Sequence, residues 1–228
     1  MAQEILIIGE SGTGKTTSFR TLDPKETFIL NVARKPLPFK GWKTNYTTIS
    51  KDNAQGNYYS SDNADALVRT MKHINDNMPH IKVVIVDDFQ YLMANEYMRR
   101  ANERGFDKFT DIGKHAWEVA HAGKSLRDDI TFIMVGHAEE TTDFKGTRKL
   151  KFKTIGKLVD NVITMEGLFT VVLFTDINMD GSKEVQYRFQ TNQTDGGNTC
   201  KSPMGMFSET FIPNDMRSVI DTINNYYK

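Results

Sequence analysis

A short segment near the amino terminus, GESGTGKT at residues 9–16, places the strongest constraint on the fold of this chain. It matches the phosphate-binding pattern G-x4-G-K-[ST] at every position, ending in Gly14, Lys15 and Thr16. The apolar run at residues 4–8 is typical of a buried parallel strand, and the residues after Lys15 can open a helix. Strand, glycine-rich loop and helix in this order predict a P-loop rather than an ordinary glycine turn.

The chemistry of phosphate binding explains these residue types. Glycine lets successive backbone N–H groups converge on phosphate oxygens, and the positive end of the following helix adds to the attraction. We expect Lys15 to contact the β- and γ-phosphates of ATP and the Thr16 hydroxyl to coordinate Mg²⁺. The predicted nucleotide-binding residues are Gly9, Glu10, Ser11, Gly12, Thr13, Gly14, Lys15, Thr16 and Thr17.

Composition limits the class of protein. The chain has 228 residues, 39% of them hydrophobic, which suits a single domain covering residues 1–228. Its formal net charge is zero, so nucleic-acid binding would need a local basic patch. The single cysteine, Cys200, cannot form an internal disulfide, which favours a cytoplasmic protein. No apolar run approaches the roughly 18 residues of a membrane span, and a strand at the start leaves no room for a signal peptide, so we expect no membrane partner.

Apolar runs alternate with helical patterns along the chain. Strands are predicted at 4–9, 27–31, 82–87 and 130–135, with possible strands at 45–50 and 162–165. Helices are predicted at about 15–21, 61–77, 109–127 and 155–160, and a further helical region follows the strand at 82–87 and ends at about 104. A β-hairpin at about 168–191 and a helix at about 214–227 complete the chain. The expected fold is an α/β P-loop NTPase with a mostly parallel sheet and a C-terminal hairpin and helix.

The segment KVVIVDDF at residues 82–89 is typical of a Walker B element, a buried strand that ends in an acid. We expect Asp87 to lie beside the Mg²⁺ ion, while Asp88 could also cap the following helix. About 70 residues separate Lys15 from Asp87, and this interval holds at least one predicted strand and helix. That spacing favours the P-loop branch with an extra strand between the Walker A and Walker B strands, which contains the RecA-like and AAA+ ATPases.

Two catalytic roles depend on strand ends. His137 follows the strand after Walker B, where a polar residue senses the γ-phosphate, although a purely structural hydrogen bond is an alternative. We assign the general base to Asp88, directly after the Walker B aspartate. The strand after the P-loop helix ends in Asn31, so it offers no acid as a general base. Asp52 and Glu10 are the alternatives to Asp88. The predicted catalytic residues are therefore Lys15, Asp88 and His137.

Residues 144–157, FKGTRKLKFKTIGK, form the largest concentration of positive charge. Basic side chains can follow a phosphate backbone and aromatic rings can stack on bases. The predicted contacts to single-stranded DNA are Lys145, Arg148, Lys149, Lys151, Phe152 and Lys153. The same alternation suits an amphipathic edge strand whose lysines lie in water. A third interpretation is a homo-oligomer in which Arg148, Lys149 or Lys201 supplies a cation to the ATP of a neighbouring copy.

Several segments together resemble a known family. They are GESGTGKTT, LNVARKPLPFKG (30–41), VVIVDDFQYL, IMVGHAEE and CKSP (200–203). These segments are similar to those of small phage ATP-binding proteins with an AAA domain, minimal RecA-like cores of which some act in single-strand annealing and recombination. The resemblance implies that Lys15, Thr16 and Asp87 bind Mg-ATP, that His137 is the sensor, and that the protein works in the cytoplasm of a host cell. Asn31 departs from the glutamate found in RecA-like enzymes.

Three functions are compatible with these residues. The first is an ATPase that acts on single-stranded DNA in recombination or replication. The second is a nucleotide-switched loader or partner-binding protein with little turnover, which the weakly defined general base favours. The third is a small-molecule kinase, for which residues 144–157 would form the lid, although the extra strand and His137 argue against it.

Overall fold

The computed structural model describes residues 2–142, 146–155, 164–179, 185–194 and 197–228. Its strands are β1 (Gln3–Gly9), β2 (Thr27–Asn31), β3 (Tyr58–Ser60), β4 (Val83–Asp87), β5 (Thr131–Thr142), β6 (Arg148–Phe152), β7 (Val171–Asn178), β8 (Gln186–Gln190) and β9 (Phe211–Pro213). Its α-helices are α1 (Trp42–Asn45), α2 (Ala64–Asn77), α3 (Gln90–Arg99), α4 (Asp107–Lys124) and α5 (Met216–Tyr226). Short 3-10 helices cover Thr16–Thr21 and Met165–Leu168.

One sheet organises these elements, in the strand order β3-β2-β4-β5-β1-β7-β8-β9, with β6 paired to the outer part of β5. The pairs from β3 across to β7 are parallel, and β8 and β9 continue the sheet antiparallel. Strand β5 lies between β1 and β4, so the extra strand predicted between the Walker A and Walker B strands is present. The carboxyl ends of β1, β4 and β5 therefore meet at one edge of the sheet.

Helices cover both faces of the sheet. Successive residues of β1 point to opposite faces, because side chains alternate along a strand. Ile5 and Ile7 pack with residues of α5 and the first 3-10 helix, whereas Leu6 and Ile8 pack with residues of α2, α3 and α4. This two-sided burial explains the nearly continuous apolar runs of the central strands. Among the described residues, no helix combines the length and apolar character needed to cross a membrane.

Most predicted elements are confirmed. The four buried strands, the helix after Ser61, the C-terminal hairpin and the final helix all occur, which confirms the α/β fold with a mostly parallel sheet. The side chain of Asn63 accepts a hydrogen bond from the Ala66 N–H at the start of α2. Asp215 caps α5 in the same way through the Ser218 N–H.

Two local predictions differ from the structure, and two more fall largely outside the described residues. No regular strand occupies residues 45–50 of the described chain; helix α1 precedes this segment, and Thr48 makes only an isolated bridge to Tyr58. The Asn57 side chain accepts from the Thr47 N–H at 2.8 Å and favours a loop over a ladder. The segment predicted as a helix at 15–21 contains a 3-10 helix at Thr16–Thr21 instead of an α-helix. The predicted helix at 155–160 and strand at 162–165 fall largely on residues 156–163, outside the described residues, and Met165 begins a 3-10 helix.

Candidate nucleotide site

The P-loop connects the end of β1 to the 3-10 helix at Thr16–Thr21. Gly14 adopts a φ of +93°, in the region that favours glycine, and a Cβ there would lie 3.0 Å from the ring of Tyr187. A Cβ on Gly9 would lie only 1.8 Å from the Thr175 hydroxyl oxygen. Glycine is therefore required at both positions, by backbone conformation at Gly14 and by space at Gly9.

Lys15 lies across the loop that precedes it. Its ammonium donates hydrogen bonds to the carbonyl oxygens of Gly9 at 2.9 Å and Glu10 at 2.6 Å. Burial lowers the pKa of Lys15 to about 8, against the opposing effect of the negative charges of Asp88 and Asp87. The buried ammonium thus lies against the first residues of the loop whose backbone is expected to hold the phosphates.

Thr16 and Asp87 meet at the carboxyl edge of the sheet. The Thr16 hydroxyl lies 3.1 and 3.0 Å from the two carboxylate oxygens of Asp87, which is 2% exposed. Burial, and then the charge of Asp88, raise the pKa of Asp87 to about 7. A hydroxyl and a carboxylate are the oxygen ligands that Mg²⁺ prefers, alongside waters and substrate phosphates. Within the described ranges no cluster of three or more His, Cys, Asp and Glu residues could hold a metal.

Asp88 turns the chain sharply after β4. Its φ of +58° is unusual for a residue with a side chain and costs roughly 1 kcal/mol. Two hydrogen bonds hold the turn: the Val32 N–H donates to the Asp87 carbonyl at 3.1 Å and the Phe89 N–H donates to the Val135 carbonyl at 2.9 Å. The neighbouring strands β2 and β5 thus fix the backbone on both sides of Asp88.

The Asp88 carboxylate contacts two cationic or titratable groups. Its Oδ2 lies 2.8 Å from the Lys35 ammonium and its Oδ1 lies 3.4 Å from His137 Nε2. Burial raises the pKa of Asp88, but hydrogen bonds from His137 and Lys35 outweigh burial and bring the pKa to about 2. Asp88 is therefore an ionised partner of Lys35 and His137.

His137 lies next to the P-loop because β5 pairs with β1. Gly9 and His137 are register partners in that parallel pair, and the His137 N–H donates to Gln90 Oε1 at 3.2 Å. The imidazole contacts the ring of Tyr91 edge-on, with 6.2 Å between ring centroids. The structure thus brings together the predicted Lys15, Thr16, Asp87, Asp88 and His137. It places Asp52, an alternative base, in an exposed loop near the β3 edge of the sheet, and Glu10 on the exposed surface of the P-loop.

Lys35 is a site residue that the sequence reasoning missed. It lies in the loop after β2, and its carbonyl accepts a hydrogen bond from the Asn31 side chain at 2.7 Å. Asn31 is the register partner of Asp87, so this loop begins beside the Walker B aspartate. A basic residue shortly after the strand that neighbours Walker B is the signal that could have identified Lys35.

The other side of the P-loop is supported by the C-terminal third of the chain. The Thr13 and Thr175 hydroxyl oxygens lie 2.5 Å apart, which ties the loop to β7. Asn214 donates to the Gly14 carbonyl at 3.3 Å and accepts from Arg20 at 3.2 Å. These contacts also escaped the sequence reasoning, because they join residues far apart along the chain.

The predicted DNA-binding segment forms the antiparallel ribbon of β5 and β6. Arg148 lies 3.5 Å from Glu140 and Lys151 lies 3.4 Å from Glu139, so acids of β5 offset part of its charge. Phe152 is 1% exposed, and its ring centroid lies 6.0 Å from that of Phe89. The prediction that Phe152 stacks on bases is therefore wrong, because its ring belongs to the core.

The remaining predicted cations lie in different places. Lys149 is partly buried and Lys153 is exposed, while Lys145 lies outside the described residues. Lys201 pairs with Val172 through backbone hydrogen bonds of 2.8 and 3.0 Å and lines a cavity with Gln3 and Glu4. This cavity lies near the amino-terminal end of β1, whereas the P-loop follows its carboxyl end. Lys201 is thus distant from the nucleotide site of its own chain.

Comparison with protein-family models identifies the family of this chain. The model of the family described as AAA domain matches residues 1–200. No curated protein matches the chain. The matched region includes the P-loop, Asp87 at the end of β4, Asp88 directly after it, and His137.

Proposed function

Since the chain belongs to the AAA-domain family, a family of nucleotide-binding P-loop ATPases, we propose that it binds Mg-ATP at this edge of its sheet and hydrolyses it. The observation that carries the proposal is the contact of the Thr16 hydroxyl with Asp87, at 3.0 and 3.1 Å, directly after Lys15 in the P-loop. These groups supply a phosphate-binding cation and two oxygen ligands for Mg²⁺.

Each residue has a distinct task in the proposed reaction. The oxygen of a water molecule bonds to the γ-phosphorus while the bond from that phosphorus to the bridging oxygen breaks. ADP leaves with the electron pair of the broken bond, and the water proton passes to Asp88. Mg²⁺, when bound, neutralises charge on the phosphate oxygens. His137 donates a hydrogen bond that orients Asp88 or the γ-phosphate.

Slow basal turnover follows from the surroundings of Asp88. A carboxylate whose pKa is about 2 accepts a proton poorly, because it gives up its ion pair and hydrogen bonds when it is protonated. We therefore expect hydrolysis to accelerate when a partner or ligand rearranges the contacts of Asp88 with Lys35 and His137. Such dependence also agrees with a role as a nucleotide-controlled loader.

Steady-state phosphate release tests the proposal. The wild-type chain should release phosphate from ATP in the presence of Mg²⁺, and Lys15→Ala should not. Lys25→Ala, which removes an exposed lysine outside the P-loop, is the matched control and should retain the activity. Binding of ATP without turnover would favour the switch function, and transfer of the γ-phosphate to a nucleoside or nucleotide acceptor would favour a kinase.

The β5–β6 ribbon favours a second candidate function, the binding of single-stranded DNA, in line with the resemblance to phage recombination proteins. The Lys153 N–H donates to the His137 carbonyl at 2.8 Å, so a ligand on the ribbon could move His137. Single strands should then stimulate hydrolysis, and DNA affinity should fall with salt. The double variant Lys149→Glu/Lys153→Glu should lose both effects, while Lys25→Glu/Lys72→Glu, with the same change of charge elsewhere, should lose neither. Equal DNA affinity of the two double variants would exclude the β5–β6 ribbon as the DNA-binding site.

A further inference from the structure

Lys35 is a cation at the nucleotide site that no task in the proposed reaction uses. The Asn31 side chain holds its backbone carbonyl at 2.7 Å, which fixes the start of the loop beside Asp87. Its ammonium lies 2.8 Å from Asp88 and 5.2 Å from the centroid of the Tyr91 ring. The side chain is nevertheless 55% exposed, so it can move without disturbing the core.

The charges around Lys35 indicate which ligand it faces. The site contains two lysines, Lys15 and Lys35, and two carboxylates. The charge of Lys35 interacts with the charges of Lys15, Asp87 and Asp88. A γ-phosphate bound by Lys15 would bring about two negative charges toward Asp88. The negative charges of the phosphate and the Asp88 carboxylate repel each other, and a cation between the two groups offsets this repulsion.

We propose that Lys35 binds the γ-phosphate of ATP, exchanging its ion pair with Asp88 for a phosphate oxygen. This inference rests on the proposed binding of Mg-ATP. The ammonium is a point charge on a flexible stem, which suits such an exchange better than a planar guanidinium would. Asp88 keeps its contact with His137 and is left free on its other oxygen. ADP lacks the γ-phosphate and would leave the Lys35–Asp88 pair intact, so Lys35 would distinguish ATP from ADP.

A purely structural role for Lys35 predicts a different outcome. If the ion pair only stabilises the loop after β2, its loss should lower the affinities for ATP and ADP equally. A second alternative is that removal of Lys35 leaves the Asp88 charge uncompensated, so that ATP is repelled without any contact to Lys35. Asp88→Asn removes this repulsion, and the effect of Lys35 can then be measured in that background.

The experiment measures the affinity of the full-length chain for ADP and for a non-hydrolysable ATP analogue, both with Mg²⁺. Lys35→Ala should lower the affinity for the ATP analogue by about tenfold or more and the affinity for ADP by less than about twofold. A loss of this size is expected for one charged hydrogen bond. The same selective loss should persist when Lys35→Ala is made in Asp88→Asn. Lys35→Arg should recover part of the affinity, and Lys40→Ala, on the same loop, should match wild type. Thermal unfolding of each variant reports on its fold.

Each outcome decides between the alternatives. If a folded Lys35→Ala variant loses affinity for both ligands equally, or loses none, the assignment of Lys35 is overturned. A selective loss that disappears in the Asp88→Asn background would overturn it as well, because repulsion alone would then explain the loss. Failure of the wild-type chain to bind either nucleotide would instead overturn the proposed function, and the inference with it.

Discussion

The Thr16 hydroxyl and the Asp87 carboxylate lie 3.0 Å apart although 71 residues separate them along the chain. Thr16 begins the helix after the P-loop, and Asp87 ends β4, with β5 between the two strands. The contact therefore depends on the strand order, which brings the ends of β1 and β4 to the same edge. Because both groups are oxygen donors, this contact defines the predicted magnesium position.

Replacing Asp87 with asparagine should remove the effect of Mg²⁺ on the affinity for ATP. Asp87→Asn keeps the size of the side chain but removes its charge, so Mg²⁺ should no longer increase the affinity for ATP. Hydrolysis should fall by about 100-fold or more, the scale expected for loss of a group that stabilises transition-state charge. Titration of ATP with and without Mg²⁺ measures the first effect. A variant with the metal dependence of wild type would contradict the assignment of Asp87.

The affinity for Mg-ATP should depend on pH with two limbs. Mg²⁺ needs ionised Asp87, whose pKa is about 7, so the affinity should rise as the pH increases toward that value. The phosphates need protonated Lys15, whose pKa is about 8, so the affinity should fall above it. Binding measured from pH 5.5 to 9 tests both limbs, and Asp87→Asn should lose only the acid limb. A flat profile for wild type would show that neither group controls binding.

The raised pKa of Asp87 also predicts how stability changes with pH. Its folded value of about 7 exceeds the unfolded value of about 3.9, so the folded chain holds more protons between these values. The contribution of Asp87 to the free energy of unfolding should therefore decrease as the pH rises from about 5 to 7. Denaturant unfolding at both pH values, compared with Asp87→Asn, measures the difference. A contribution that increases over this range would contradict the assigned direction.

The crowding at Gly9 predicts a paired set of variants. Gly9→Ala should destabilise the chain by about 1–3 kcal/mol, because its new Cβ would lie 1.8 Å from the Thr175 hydroxyl oxygen. The loop should also lose affinity for ATP, since Thr175 would have to leave Thr13. Thr175→Ala removes the obstructing oxygen, so the double variant should be more stable than additive effects predict. Strict additivity would show that the two residues do not meet as described.

Phe152 provides a test of the corrected ribbon. Phe152→Ala should lower the free energy of unfolding by about 3–4 kcal/mol, because it removes a fully buried ring that packs against Phe89. Lys149→Ala on the same strand should change stability by less than about 0.5 kcal/mol. Chemical denaturation of both variants makes the comparison. A small effect of Phe152→Ala would restore Phe152 as an exposed residue available for base stacking.

The P-loop and Asp87 could be predicted because each is a local pattern with a specific chemical requirement. Phe152 could not be placed correctly, since the alternation Lys-Leu-Lys-Phe-Lys suits either face of a ribbon. Its register partner is Ala138, and this pairing directs the ring toward the core. Lys35, Thr175 and Asn214 were missed for a related reason. Their contacts with the site depend on which strands become neighbours. For Thr175 and Asn214 no local signal indicates this, and the signal for Lys35, a basic residue shortly after β2, has meaning only once β2 is known to lie beside β4.

Direct binding of ATP is the measurement that tests the central claim most directly. Calorimetric titration of the wild-type chain with ATP should show one site whose affinity increases when Mg²⁺ replaces a chelator. Lys15→Ala should show no binding under the same conditions while it unfolds near the temperature of wild type, because the hydrogen bonds of the Lys15 ammonium go to carbonyl oxygens of the loop itself. Equal ATP binding by wild type and Lys15→Ala, or no binding by a folded wild-type chain, would contradict a nucleotide site at this P-loop.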